Sequence, residues 1–125
     1  MAFKLNHIHL KTPDPDATAK WYVKNLAAKV VNHNPAKGYK IDLHGLPINI
    51  SGFNDEHMHT QVYGFEHIAI DTDDLPGTVA KLKANGVKIL EEITGRGGHK
   101  MYFCEGPQGV ILEVSGSAEP PTAVR

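Results

Sequence analysis

The amino-acid sequence predicts an α+β fold made of two βαβββ units, about residues 3–52 and 64–116, with an antiparallel-rich mixed sheet and a surface tail over 117–125. Three observations carry this. First, the phrase NHIHLKT at 6–12 returns as EHIAIDT at 66–72. Second, short runs of alternating apolar and polar residues recur in the same order after each copy. Third, each copy is followed by one stretch of helical periodicity with an acidic, proline-bearing start.

The repeat is the strongest of these. A shift of 60 pairs His7 with His67, Ile8 with Ile68, Thr12 with Thr72, Asp14 with Asp74, Thr18 with Thr78 and Asn25 with Asn85. The match returns at the ends of the halves, where ISG at 50–52 meets VSG at 114–116 at an offset of 64. Four extra loop residues account for the drift, and agreement at both ends indicates a duplicated supersecondary unit.

Within the first unit, residues 3–10 alternate as a strand and PDPDATAKWYVKNL forms a helix with apolar positions at Trp21, Tyr22 and Leu26. Strands follow at AKVVNH, YKIDLH and PINIS, separated by the turn-forming NPAKG and HGLP. The second unit reads FEHIAID as strand and DDLPGTVAKLKANG as helix. In that helix Leu75, Val79 and Leu82 recur at helical spacing, and Gly86 stands at the C-terminal stop. Strands at VKILEE, KMYFC and GVILEVS complete it. GFNDEHMHTQVYG, between the units, is a polar connection.

Composition narrows the class of function. The chain of 125 residues holds one domain of ordinary size, or two small halves sharing one core. Thirteen Lys and Arg nearly balance fourteen Asp and Glu, and no basic run exists to neutralise phosphates, so nucleic acid is not an expected partner. No apolar run is long enough to span a bilayer, and MAFKLNHIHL lacks the pattern of a secretory signal. The lone Cys104 closes no intrachain disulfide, which fits a reducing cytoplasm. Eight histidines are the compositional oddity, either surface accident or metal chemistry.

Period-two alternation assigns faces. Ile8 and Leu10 form the set a helix covers, leaving Leu5, His7 and His9 opposite. Ile68 and Ile70 match that set, so His67 shares a face with Phe65 and Ala69. In the last strand Val110, Leu112 and Val114 place Ile111, Glu113 and Ser115 on the other side. Two imidazoles and a carboxylate, His7, His67 and Glu113, make a facial triad for one divalent metal with open positions for water or substrate. His9 shares the face of His7, but its counterpart is Ala69. Same-face neighbours on a strand lie nearly 7 Å apart, about twice the rise of 3.3 Å per residue. His9 is therefore expected to handle substrate as an acid or base rather than bind the ion. His57 and His59, in EHMHT, have a chelating spacing but lie in the polar connection, and the expectation is that the metal does not need them. Arg96 and Lys100 flank the glycines of TGRGGHK and could place cations over an anionic substrate. Tyr102, between the apolar Met101 and Phe103, is expected to point into the cleft as a second acid–base candidate.

With NHIHL at 6–10, EHIAI at 66–70 and GVILEV at 109–114 in this order, the chain resembles the vicinal oxygen chelate, or glyoxalase/bleomycin-resistance, superfamily over residues 3 to 116. The resemblance implies a single glyoxalase-like domain whose curled sheets enclose a metal cleft. It carries His7, His67 and Glu113 over as ligands. Asn49 falls where four-ligand relatives have Glu or Gln, which makes it a substrate contact and makes this chain similar to three-ligand members. Relatives of this size usually dimerise, often sharing the site, so a homodimer with His7 opposite its partner's His67 and Glu113 is expected. The metal implied is Fe, Mn, Ni, Co or Zn, and the substrate a small oxygen-bearing molecule chelated by it. The chemistry implied is isomerase, epimerase or lyase chemistry through a stabilised oxyanion. The alternatives are an extradiol-type Fe(II) dioxygenase and a metal-free drug-binding protein of the bleomycin-resistance kind.

Overall fold

The computed structural model describes residues 1–120. In chain order the elements are β1 (Phe3–Lys11), α1 (Pro15–Leu26), β2 (Lys29–Asn34), β3 (Gly38–Leu43), β4 (Leu46–Ser51), β5 (Gly64–Thr72), α2 (Leu75–Ala84), β6 (Ile89–Thr94), β7 (His99–Glu105) and β8 (Ile111–Ser117). This is the βαβββ order written twice. Of the tail expected over 117–125, Ser117 still belongs to β8, and residues 121–125 lie outside the described residues. No helix among the described residues is long and apolar enough to cross a membrane.

Both halves place their strands in the same order. The first runs β2-β3-β4-β1 and the second β6-β7-β8-β5. In the first, β1 and β4 are parallel with Leu10 beside Ile50, while β3–β4 and β2–β3 are antiparallel. In the second, β6–β7 and β7–β8 are antiparallel. The sheets are thus mixed, as the sequence predicts.

Three of the six identities, Thr12/Thr72, Asp14/Asp74 and Thr18/Thr78, have a common physical cause, because they build the corner between the first strand and the helix. Thr12 Oγ1 lies 2.8 Å from Thr18 Oγ1, and Thr72 Oγ1 lies 2.9 Å from Thr78 Oγ1. Asp14 N–H donates to Thr12 Oγ1 and Asp74 N–H to Thr72 Oγ1, both at 3.2 Å. Each aspartate caps its helix, accepting from Ala17 N–H or Gly77 N–H at 3.0 Å. An N-cap carboxylate satisfies one of the orphan amides of the first turn and suits the helix dipole. Asp14→Ala and Asp74→Ala are each expected to cost about 1 kcal/mol of unfolding free energy, measured by urea denaturation. Equal stability of either variant and the wild type would contradict this role.

The compact units do not follow the repeat boundaries. One comprises His7–His67, and the other joins Met1–Asn6 to residues 68 onward. The start of β1 is tied into the latter: Asp73 N–H donates to the Ala2 carbonyl at 3.2 Å, and Asn6 Nδ2 donates to the Asp71 carboxylate at 3.0 Å. Each unit has its own core. In His7–His67, Leu10, Ile41, Ile48 and Ile50 pack with Ala19 of α1. Of the three apolar positions expected on α1, Tyr22 packs against the core, while Trp21 and Leu26 are exposed. In the other unit Leu75 and Val79 of α2 pack on Cys104 and Val114, with Leu82 beside them. Gly86 follows α2 at φ +79°, the left-handed stop the sequence indicates.

Candidate metal centre

The face of β1 turned away from α1 carries the chemistry. Leu10, Ile48 and Ile50 belong to the core under α1, so alternation turns His7, His9 and Lys11 to the other side. The parallel register sets Asn49 beside His9 and Ser51 beside Lys11 on that same face. His67, near the start of β5, brings its ring to theirs. Ring centroids are 5.9 Å apart for His7 and His67, 4.7 Å for His9 and His67, and 5.5 Å for His7 and His9. One nitrogen from each imidazole lies within 4.8 Å of the others.

The His9 ring lies nearer the other two than strand spacing alone suggests. Side-chain rotation brings the His9 ring within chelating reach although its Cα is two residues from that of His7. Three nitrogens on one tetrahedral ion at about 2.0–2.1 Å lie roughly 3.4 Å apart, so the ligand atoms would have to draw together by up to about 1.4 Å. His7 and His67 meet within one chain, their ring centroids 5.9 Å apart.

A buried carboxylate orders the cluster. Glu66 Oε1 lies 2.9 Å from His67 Nδ1 and 3.2 Å from His59 Nε2, and all three side chains are removed from solvent. Burial by itself would raise the Glu66 carboxyl. The hydrogen bonds from His67 and His59, with the charge of Lys11, outweigh it and hold the group at about 2. An ionised carboxylate only accepts, so both imidazoles donate to it. His67 is thereby the Nδ1–H tautomer, with its lone pair on Nε2. That is the orientation a carboxylate confers on a metal-binding histidine.

His9 is ordered by a different chain. Ser51 Oγ lies 2.7 Å from His9 Nε2, in hydrogen-bond contact, and 3.1 Å from the Gly52 carbonyl. Lys11 Nζ donates to the same carbonyl at 3.3 Å. Burial first, then the charges of His67, Lys11 and His7, lower His9 from 6.5 to about 2, against a smaller opposing effect of Glu66. His9 is therefore neutral at pH 7 and keeps a lone pair on one ring nitrogen. The donor set suits a borderline divalent cation, since neutral imidazoles supply nitrogen donors and a second carboxylate is held one bond away.

The shifted groups also set an acid limit on stability. His9 binds a proton below about 6.5 when unfolded but only near 2 when folded, so its stabilising contribution is complete above 6.5 and is lost as pH falls. The depressed Glu66 carboxyl acts in the same direction, from its ordinary value of 4.5 down to about 2. Metal-free protein is expected to lose up to about 1.4 kcal/mol per pH unit below pH 6 through His9 alone. His9→Gln should flatten the unfolding free energy between pH 6 and 5. An unchanged slope would remove His9 from that account.

The remaining expected site residues divide. Asn49 is half-buried beside His9, and its Oδ1 is buried with no hydrogen-bond partner among the described residues. Glu113 is buried on β8 and pairs with Phe103; its neighbour Val114 belongs to the core under α2, so Glu113 faces away from that helix, as alternation predicts. Tyr102 and Lys100 are a correction. Tyr102 pairs with Val114 and packs against the core under α2, so it sits on the helix-covered face rather than the one bearing Glu113. Its hydroxyl donates to Glu92 at 2.7 Å, and Lys100 Nζ donates to the same carboxylate at 2.8 Å. Both line a depression of ≈ 310 Å³ with Leu75, Val79 and Lys83 of α2. Arg96 is exposed in the turn before β7. Cys104 is buried under α2, and burial pushes its thiol up, as suits packing rather than nucleophilic attack.

Three contributors were not singled out in the sequence: Glu66, Lys11 and Ser51. Lys11 simply continues the alternation of His7 and His9, and Glu66 stands next to His67 in EHIAI. His59 is buried rather than solvated, and no local pattern in EHMHT announces it.

Comparison with known proteins agrees with this architecture. Solved structures similar to the chain include a hypothetical protein from Bacillus halodurans, at 21% identity and TM-score 0.71, covering 98% of this chain and 100% of that one. Methylmalonyl-CoA epimerase from Mycobacterium tuberculosis aligns at 19% identity and TM-score 0.65, over 92% and 88% of the two chains. The Mn(II)-bound glyoxalase from Novosphingobium aromaticivorans aligns at 18% identity and TM-score 0.61, over 94% of this chain and 39% of that one. At these identities the likeness is one of fold. No curated protein matches the chain. A family model does match, over residues 4–114, from within β1 to within β8, and so spans both copies of the unit together with every histidine of the cluster. The chain belongs to the Glyoxalase/Bleomycin resistance protein/Dioxygenase superfamily.

Proposed function

We propose that the protein is a metal-dependent isomerase, epimerase or lyase acting on a small oxygen-bearing substrate. The observation that carries this reading is the convergence of His7, His9 and His67 beside the buried Glu66. In the proposed site His7 and His67 hold a divalent ion, neutral His9 is a third nitrogen donor, and Glu113 is the carboxylate donor. The ion, when bound, supplies Lewis-acid stabilisation of negative charge developing on a substrate oxygen. Glu66 orients His67, Ser51 orients His9, and Asn49 Oδ1 accepts a hydrogen bond from substrate or water. Similarity to methylmalonyl-CoA epimerases and to a Mn(II)-bound glyoxalase supports proton transfer next to a carbonyl, with a carboxylic thioester as the first substrate class to test.

Metal analysis of protein purified without a histidine tag tests the reading. Manganese, nickel, cobalt or zinc near one equivalent is expected. Exchange of the α-proton of an acyl thioester in deuterated water, dependent on that metal, would complete the assignment. Iron with ring-cleaving activity on a catechol would replace it by the dioxygenase reading, and protein that takes up no metal would replace it by the binding reading.

A homodimer belongs to the same proposal. β2 is exposed along its whole length and presents Val30 and Val31 to solvent, an edge of the kind proteins normally cover. Sedimentation equilibrium at micromolar concentration is expected to give twice the chain mass, and a monomer at all concentrations would refute it. Residence in a reducing compartment is also proposed, supported by the single buried thiol of Cys104.

A further inference from the structure

Residues 53–63 form a loop closed at its neck. The rings of Phe53 and Tyr63 stack with centroids 4.3 Å apart and planes 19° from parallel. Asn54 N–H donates to Gln61 Oε1 at 2.8 Å, and Gln61 Nε2 donates back to the Asn54 carbonyl at 2.7 Å. A compact loop whose ends are pinned together holds its interior side chains in place. Of residues 53–63 only His59 is buried, and its imidazole reaches Glu66.

We propose that His59 is a positioning residue for the histidine cluster: together with Glu66 it holds His67 as the Nδ1–H tautomer and so couples the 53–63 loop to the site. Glu66 Oε1 has lone pairs for two donors, and His67 and His59 fill them at 2.9 and 3.2 Å. Glu66 Oε2 is buried with no hydrogen-bond partner among the described residues, so the carboxylate depends heavily on those two bonds. Loss of either donor leaves a buried anion short of partners, which is costly. The carboxylate then rotates, and His67 is released to exchange tautomers. In this role His59 acts through Glu66, which its Nε2 reaches at 3.2 Å.

The consequence for metal affinity rests on His67 being a ligand, but the tautomer does not, and this separates the two in one experiment. Long-range proton–nitrogen correlation spectra of metal-free protein labelled in histidine report the tautomer directly, and cobalt(II) titration reports affinity. In the wild type His67 is expected as the Nδ1–H form alone. His59→Ala should give a tautomer mixture at His67 and weaken cobalt binding about 10-fold, and Glu66→Ala should weaken it about 10- to 100-fold. His59→Gln, whose amide can donate from a similar position, should restore both, and Glu66→Gln keeps an acceptor if Glu66→Ala folds poorly. A His67 that stays purely Nδ1–H in His59→Ala and in the folded Glu66 variants would overturn the proposal. Tautomer changes in a protein that binds no cobalt would uphold the positioning role while ending the ligand reading.

Discussion

His67→Ala is expected to weaken divalent metal binding by more than about 100-fold, and His7→Ala to do the same. Loss of one outer partner of a ligand typically costs 10- to 100-fold, and loss of the ligand itself should exceed that. His67 bears the larger burden, because it is the histidine whose Nδ1 is held by Glu66 at 2.9 Å. Its removal also strips Glu66 of one of two donors, so the variant must be checked for a cooperative melt before its affinity is read. Glu113→Ala should fall in the same range if it supplies the carboxylate, whereas His57→Ala should bind metal as the wild type does. His9→Ala distinguishes the two roles open to His9. A third nitrogen donor requires weaker metal binding by about 10-fold or more, and a substrate contact alone requires unchanged metal content. Competition titration against a chromophoric chelator measures all five variants. Wild-type affinity in His67→Ala would place the metal elsewhere in the protein.

Much of this was legible in the sequence because the repeat is enforced by geometry. The identities at Thr12 and Thr72, Asp14 and Asp74, and Thr18 and Thr78 recur because each corner needs the same hydroxyl pair and the same cap. The faces of β1 and β8 were legible because one side is plainly apolar: Leu10 on β1 and Val114 on β8 enter the cores. β7 was not legible. In KMYFC both alternating sets contain large apolar side chains, so period two separates Tyr102 from Phe103 without saying which side α2 covers. The reach of His9 was lost for another reason. Cα spacing fixes where a ring is attached, while its χ angles decide where the nitrogens lie. Burial of His59 could not be read at all, since it arises from a neck closed by Phe53 with Tyr63 and Asn54 with Gln61 across the loop. The division of β1 between two compact units likewise depends on contacts some 70 residues apart, such as Ala2 with Asp73.

Gly38→Ala is expected to be the most damaging single methyl group in the first unit. Gly38 opens β3 opposite Asn34 of β2, at φ +119°, a backbone conformation that residues with a side chain rarely adopt. A Cβ built there would stand 2.0 Å from the Ile50 carbonyl oxygen of β4, and backbone cannot step aside as a flexible side chain would. Ile50 is fully buried in the core, pairs with Tyr39 of β3 and with Leu10 of β1, and precedes Ser51, the hydrogen-bond partner of His9. The displacement therefore runs from the turn into the floor of the histidine cluster. Conformational strain alone costs about 1–2 kcal/mol, and the clash should bring the loss to about 3–4 kcal/mol, in the upper range for point substitutions. Gly45→Ala is the matched control, since Gly45 has φ +99° but an added Cβ meets nothing within 4 Å. It should lose only the strain term. Chemical denaturation of the two variants side by side measures the difference, and equal losses would show that β4 yields to the methyl group. Because displacement of β4 carries Ser51 with it, the tautomer or metal affinity of the cluster should change in Gly38→Ala and stay as wild type in Gly45→Ala.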